Sequence, residues 1–234
     1  MKITLTKKPK SPRIIEGFPG FGLVGTISTE YLIDHLKTER IGTVLMDDMP
    51  AMVAVHNGEL IDPIGIFYSK EHNIVIFHVV TAAQGLEWQL SKVITSVAEQ
   101  LTAKEIICLE GVGNPELAED ADPKVFFYAN KKKEVEKMGF SPLQEGIIIG
   151  ATASVMLSSP FPVTAFFAET HSNLPDSKAA AKIIEALDKY LGLKVDPKPL
   201  LKSAAQFEDK LKGILSKSQE AQELSDQKKM SYVG

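Results

Sequence analysis

A glycine-rich segment near the start of the chain has the spacing of a nucleotide-binding loop. Residues 17–25 read Gly-Phe-Pro-Gly-Phe-Gly-Leu-Val-Gly, and within them Gly20, Gly22 and Gly25 form the pattern G-x-G-x-x-G. In dinucleotide-binding proteins such a loop joins a strand to a helix, and its backbone contacts the pyrophosphate. The next predicted strand ends at Asp47, the rough location of a ribose-binding acid. One hypothesis is therefore a nucleotide-binding enzyme that uses these three glycines and Asp47.

The same glycines have a second interpretation that needs no ligand. A tight turn between a strand and a helix selects glycine wherever two backbone segments must approach closely. Pro19 and two phenylalanines crowd the loop, and no basic residue stands nearby to meet a phosphate. Both interpretations remain open at the level of sequence.

Other residues with possible chemistry are acids at the ends of predicted strands. Asp47, Asp48, Glu110 and Glu169 occupy such positions, where α/β proteins collect their sites, and they could form an acidic cleft. The five histidines show no metal-ligand spacing. Cys108 lies in an apolar strand pattern, which favours a core thiol over a nucleophile. The sequence therefore predicts no cofactor, no metal site and no catalytic set.

The composition limits the class of protein. The chain has 234 residues, 44% of them hydrophobic, which suffices for one main domain with an appendage. A net charge of −4 argues against a nucleic-acid binder. No apolar run approaches the roughly 18 residues of a membrane span, and the start lacks the apolar stretch of a secretory signal. With a single cysteine in addition, we expect a cytoplasmic protein.

Strands alternate with helices along most of the chain. Several strands are continuously apolar, which is typical of strands covered on both faces. The segment from Ile74 to Leu109 reads strand, helix, strand and predicts parallel pairing, while an Asn57-Gly58 turn predicts a hairpin that makes the sheet mixed. The predicted strands are 13–16, 41–46, 52–55, 64–68, 74–80, 105–110, 146–149 and 163–168.

The C-terminal part divides into a helix, a second helix and a polar tail. The first helix follows Asp176, which can cap it, and Gly192 can end it. Two prolines then mark a boundary, so we predict a core domain over 1–196, a helix over 197–216 and a flexible tail over 217–234. The helix carries an apolar seam suited to packing on the domain or on a second copy. The seam comprises Leu200, Ala204, Phe207, Leu211 and Ile214.

The last five residues place apolar groups where the domain core is not expected to bury them. The chain ends Met230-Ser231-Tyr232-Val233-Gly234 after a polar segment. Such a terminus is either dispensable or a peptide offered to a pocket on another protein, with its carboxylate as a charged group for recognition. The docking interpretation makes Met230, Tyr232, Val233 and Gly234 the partner-binding residues.

The ordered set of motifs resembles the archaeal branch of the proteasome assembly chaperone family. The resemblance rests on the glycine segment 17–25, on the region 80–113, on Ala168-Glu169-Thr170, and on the segments 174–180 and 191–196. It implies a three-layer α/β fold akin to nucleoside phosphorylases without their chemistry. It also implies self-assembly, no enzymatic activity, and a tail that docks between α subunits of the 20S proteasome core.

The family tail ends in a hydrophobic residue, tyrosine and any residue, so its tyrosine is penultimate. Here Tyr232 is third from the end and Ser231 precedes it. The resemblance thus supports tyrosine as the docking residue type, in a register shifted by one position. Whether the protein assists assembly or activates a finished core, and whether a related chaperone joins it, stays open.

Overall fold

The computed structural model describes residues 1–49, 53–56, 59–80, 85–114, 116–118, 121–170 and 173–202. Eleven strands lie in this part of the chain, together with six α-helices and a short 3-10 helix over Phe21–Leu23. The strands are β1 (Lys2–Leu5), β2 (Arg13–Gly17), β3 (Glu39–Leu45), β4 (Ala54–His56), β5 (Glu59–Ile61), β6 (Ile64–Ser69), β7 (Ile74–Val79), β8 (Glu105–Gly113), β9 (Val125–Ala129), β10 (Ser141–Pro142) and β11 (Val163–Thr170). The helices are α1 (Val24–His35), α2 (Glu87–Leu101), α3 (Lys132–Glu136), α4 (Ala151–Ser158), α5 (Ser177–Leu191) and α6 (Lys198–Lys202).

Nine of these strands form one sheet in the order β1-β3-β6-β7-β2-β8-β11-β9-β10. The central strands β7, β2, β8 and β11 run parallel. Antiparallel pairs flank them on both sides, β3 with β6 and β6 with β7 on one side and β9 with β11 on the other. The mixed α/β sheet predicted from the sequence is therefore confirmed.

Helices cover both faces of the sheet, which gives three layers. Successive residues of the central strands point to opposite faces, so Ile15 packs under α1 and α5 while Ile14 packs under α2 and α4. This alternation explains why the strands read as continuously apolar. The core consists of two apolar clusters, one on each face.

The connection from β7 through α2 to β8 is a crossover between strands that run parallel as predicted, although the predicted pairing of these two strands with each other is wrong. The two strands are not neighbours, because β2 lies between them and pairs with both. The glycine-rich segment leaves β2 at this central position. It therefore emerges at the carboxyl ends of the parallel strands, where α/β sheets form clefts.

Two sequence predictions are corrected by the structure: the strand over 146–149 is wrong, and the hairpin is right only in part. Residues 146–149 form no strand, because the chain leaves the sheet after the two-residue β10, and Ile147 and Ile149 are 88% and 67% exposed. The predicted hairpin exists as β4 paired antiparallel with β5, but these strands form a separate two-stranded sheet. Its turn residues Asn57 and Gly58 lie outside the described residues.

The caps of α5 match the prediction. Oδ1 of Asp176 accepts the Ala179 backbone N–H at 2.9 Å, and Gly192 ends the helix with φ of +69°. A side-chain acceptor at the N-cap satisfies a helix donor that would otherwise lack a partner. The left-handed conformation at Gly192 is one that glycine adopts without steric cost.

Candidate functional site

The glycine segment packs tightly against the end of β8. A Cβ atom on Gly20 would lie 1.9 Å from Oε1 of Glu110, and one on Gly25 would lie 2.4 Å from the carbonyl oxygen of Leu109. Gly22 has a left-handed φ of +62°, which favours glycine. Contacts within the chain therefore account for the three glycines of the G-x-G-x-x-G pattern.

The structure does not bring Asp47 to this loop. Asp47 follows β3, and the strands β6 and β7 stand between β3 and β2 in the sheet. Its carboxylate pairs instead with the N-terminal ammonium of Met1 at 2.6 Å. The nucleotide hypothesis needs an acid beside the glycine loop, and Asp47 does not supply it.

Beneath the glycine loop, two glutamates share one threonine hydroxyl. Glu16 lies on β2 and Glu110 on β8, and both point to the face covered by α4, whose first turn contains Thr152. Oγ1 of Thr152 lies 3.2 Å from Oε1 of Glu16 and 3.0 Å from Oε2 of Glu110. All three residues are buried, with Glu16 at 0% and Glu110 at 7% exposure.

This geometry favours a proton on at least one carboxyl group. The Thr152 hydroxyl has a single hydrogen, so it can donate to only one of the two carboxyls. The other contact becomes a hydrogen bond only when that carboxyl is protonated and donates to Oγ1. A protonated carboxyl also avoids burying two negative charges side by side.

Burial acts in the same direction on both acids. Burial removes hydrating water from the charged form of each carboxyl group. It is therefore the main cause that raises the pKa of Glu16 and the pKa of Glu110, each to about 8. The thiol of Cys108 is a weak polar neighbour of Glu16 and itself has a pKa well above its usual range because it is buried. No aligned hydrogen bond from the described residues reaches Oε2 of Glu16. Burial therefore favours the protonated form of these two acids at neutral pH.

A cleft of about 840 Å³ opens above this pair. One wall is the glycine loop with Phe18 and Phe21, another is the segment 145–150, and Glu110 contributes to the lining. The isoleucines that the sequence analysis assigned to a strand over 146–149 are thus cleft-lining residues. The core thiol predicted at Cys108 is confirmed, because that side chain is fully buried.

Of the four strand-end acids in the predicted acidic cleft, Glu110 alone lines this cavity. Glu169 is engaged elsewhere, where its carboxylate accepts the Asn114 side-chain amide at 3.0 Å and the Lys124 backbone N–H at 3.1 Å. Asp48 is exposed beyond β3. The cleft also has two acids that the prediction omitted, Glu87 and Glu145.

Sequence reasoning missed Glu16 and Thr152. The signal for Glu16 was present, because a glutamate in a continuously apolar strand must be buried, and buried acids are rare without a partner or a role. Thr152 carried no comparable signal, since it comes close to the acids only through the packing of α4 on the sheet. Among the described residues, no group of three His, Cys, Asp or Glu side chains is placed to hold a metal ion.

The C-terminal site residues lie mostly outside the described part of the chain. Leu200 is described, and it is 1% exposed and packs in the core cluster beneath α5. The start of the predicted seam therefore belongs to the packing of the domain. The other seam residues and all four docking residues lie outside the described residues, and they are Ala204, Phe207, Leu211, Ile214, Met230, Tyr232, Val233 and Gly234.

Fold and site together define a three-layer α/β protein whose central cleft lies above a buried pair of glutamates. A family model described as the PAC2 family matches residues 14–215. The chain belongs to the PAC2 family. The Methanocaldococcus jannaschii protein MJ0106 is 26% identical over 210 residues, which cover 88% of this chain and 86% of that protein.

Solved structures share the fold over nearly the whole chain. Pyrococcus furiosus PbaA, described as an archaeal homolog of proteasome-assembly chaperone, superposes with a TM-score of 0.84 at 28% identity, covering 94% of this chain and 99% of PbaA. Pyrococcus furiosus PbaB, described as an archaeal proteasome activator, gives a TM-score of 0.74 at 21% identity, covering 91% and 98%. At that identity PbaB supports the fold alone. None of the helices in the described part of the chain is long and apolar enough to cross a bilayer.

Proposed function

We propose that this protein is a non-enzymatic proteasome assembly chaperone or activator whose C-terminal tail docks on the α ring of the 20S core. The observation that carries the proposal is the PAC2 match over 14–215, together with the likeness to PbaA over nearly the full length of both chains. The α/β domain then serves as the body that presents the tail. The cytoplasm, where proteasomes work, is the expected location.

The chemistry of the last residues supports docking. A lysine in the receiving pocket would pair with the Gly234 carboxylate, and Tyr232 would bury its ring while its hydroxyl keeps a hydrogen bond. Val233 and Met230 add apolar surface on either side. A flexible tail loses conformational freedom on binding, so a single tail binds weakly.

Self-assembly would compensate for this weakness. When one tail of an oligomer is bound, the others are held near vacant sites at high effective concentration. Because Leu200 is buried in the domain core, the self-assembly surface must include other residues, with the seam residues after Leu200 as the first candidates. A tail that binds one state of the α ring better than another would also shift the gate toward that state.

The experiment is a binding assay between the purified full-length protein and an archaeal-type 20S core. We expect co-migration with the core for the full chain and for Ser231→Ala, and loss of co-migration when residues 232–234 are removed or Tyr232 is changed to Ala. Light scattering of each variant tests whether the oligomer is retained. Undiminished binding of a truncated protein that keeps its oligomeric state would refute tail docking.

A further inference from the structure

The cleft above the acid pair has a one-sided charge. Three of its lining residues are acidic, with Glu110 on the floor and Glu87 and Glu145 among the outer lining residues. No lysine, arginine or histidine occurs among the described residues that line it. Among the described lining residues, an anion such as a phosphate would meet three carboxylates and no cationic side chain, so the charge pattern disfavours that class of ligand.

Apart from Asn173, the other described residues that line the cleft are apolar, aromatic or glycine. Phe18 and Phe21 line it on the side of the glycine loop, and Ile147 and Ile149 line the opposite side. Its volume of about 840 Å³ lies in the range typical of small-molecule sites. Aromatic faces attract cations as well as apolar groups.

From this combination we propose that the cleft binds an organic cation, an ammonium or guanidinium group on an apolar body, whose charge meets Glu110. The apolar part lies between the phenylalanines and the isoleucines. Glu87 and Glu145 add attraction at the mouth. A metal ion does not fit as well, because the acids among the described residues are not grouped as a set of metal ligands.

The contacts of Thr152 with Glu16 and Glu110 indicate how a bound cation would change the protonation of the acid pair. In the empty cleft, a proton on one of the two carboxyls satisfies the Thr152 contact. An incoming cation stabilises the ionised form of Glu110, so the carboxylate accepts from Thr152, from the Gly111 backbone N–H and from the ligand. A proton is then released to solvent. Glu16 stays protonated beside the neutral Cys108 thiol.

The test uses three compounds with the same ring and different charges: benzylamine, benzyl alcohol and benzoate. Isothermal titration of the full chain at pH 7 should show benzylamine binding about tenfold more tightly than benzyl alcohol, and benzoate should not bind. Repeating the benzylamine titration in buffers of different ionisation enthalpy should reveal proton release. Binding should also strengthen from pH 6 to pH 8, because Glu110 is ionised more readily at the higher pH.

Matched variants locate the cation. Glu110→Gln replaces the acid with a neutral amide of the same shape and should weaken benzylamine severalfold, toward the affinity of benzyl alcohol, which itself should not change. Glu134→Gln, an exposed acid on α3, should leave all affinities unchanged. Glu87→Gln, which does not disturb the buried pair, should weaken benzylamine alone.

Several results would overturn the proposal. They are equal binding of benzylamine and benzyl alcohol, preferential binding of benzoate, binding of none of the three, and undiminished benzylamine binding to folded Glu110→Gln. Retention of fold is checked by circular dichroism before each titration.

Discussion

Replacing Glu16 with glutamine should change how the stability of the protein depends on pH. Glu16 is fully buried and its pKa is raised from 4.5 to about 8. Between these values the carboxyl group is protonated in the folded protein and ionised in the unfolded chain. The unfolded state therefore binds fewer protons, so the free energy of unfolding falls as the pH rises.

The size of the effect follows from the two pKa values. One such group lowers the free energy of unfolding by on the order of 1 kcal/mol per pH unit in this window. Glu110 has a pKa raised by the same cause, so it changes the stability in the same direction. Glu16→Gln keeps the shape of the side chain and removes one titrating group, so the stability of the variant should fall less steeply with pH, by on the order of 1 kcal/mol per pH unit. Between pH 5 and pH 8, the stability of the variant relative to that of the wild type should therefore rise by several kcal/mol.

Urea unfolding followed by circular dichroism at pH 5, 6, 7 and 8 measures this slope directly. Protein concentration must be held constant, because self-association would otherwise shift the midpoint. Glu145→Gln, which removes an exposed acid from the mouth of the cleft, is the control and should keep the wild-type slope. Equal slopes for Glu16→Gln and the wild type would indicate that Glu16 is ionised in the folded protein, and they would contradict the raised pKa of Glu16.

Three further substitutions test the packing that positions the site. Gly20→Ala places a Cβ atom against Glu110 and should destabilise the fold by ~1–3 kcal/mol, measured by thermal unfolding; an unchanged melting temperature would contradict the close approach. Asp176→Ala removes the cap of α5 and should cost about 1 kcal/mol by the same assay, whereas Asp176→Asn should retain most of that stability. Leu200→Ala should cost ~2–4 kcal/mol because Leu200 is buried under α5, and a neutral effect would place α6 outside the domain.

The periodic and continuously apolar segments were predictable from the sequence. Strands β2, β7 and β8 and helices α2 and α5 follow from residue patterns alone, because burial on one or both faces fixes which positions are apolar. The two ends of α5 were equally predictable, because Asp176 and Gly192 each cap the helix through the backbone of neighbouring residues. These features depend on neighbours in sequence.

The features that could not be predicted from the sequence depend on residues that are close in space but distant along the chain. The triple isoleucine after Gly146 has the composition of a strand, yet it finds no partner strand and lines the cleft instead. The glycine pattern was visible, but the atoms that require it, Oε1 of Glu110 and the carbonyl of Leu109, come from a strand about ninety residues later. The acid pair likewise forms only because β2 and β8 are adjacent in the sheet.

The proposed function requires that the C-terminal residues bind the protein to a proteasome. Mass photometry of the full chain mixed with an archaeal-type 20S core measures this directly. We predict a particle heavier than the core for the intact protein, and the mass of the bare core when Tyr232-Val233-Gly234 are absent. A heavier particle of equal abundance without those three residues would contradict the account.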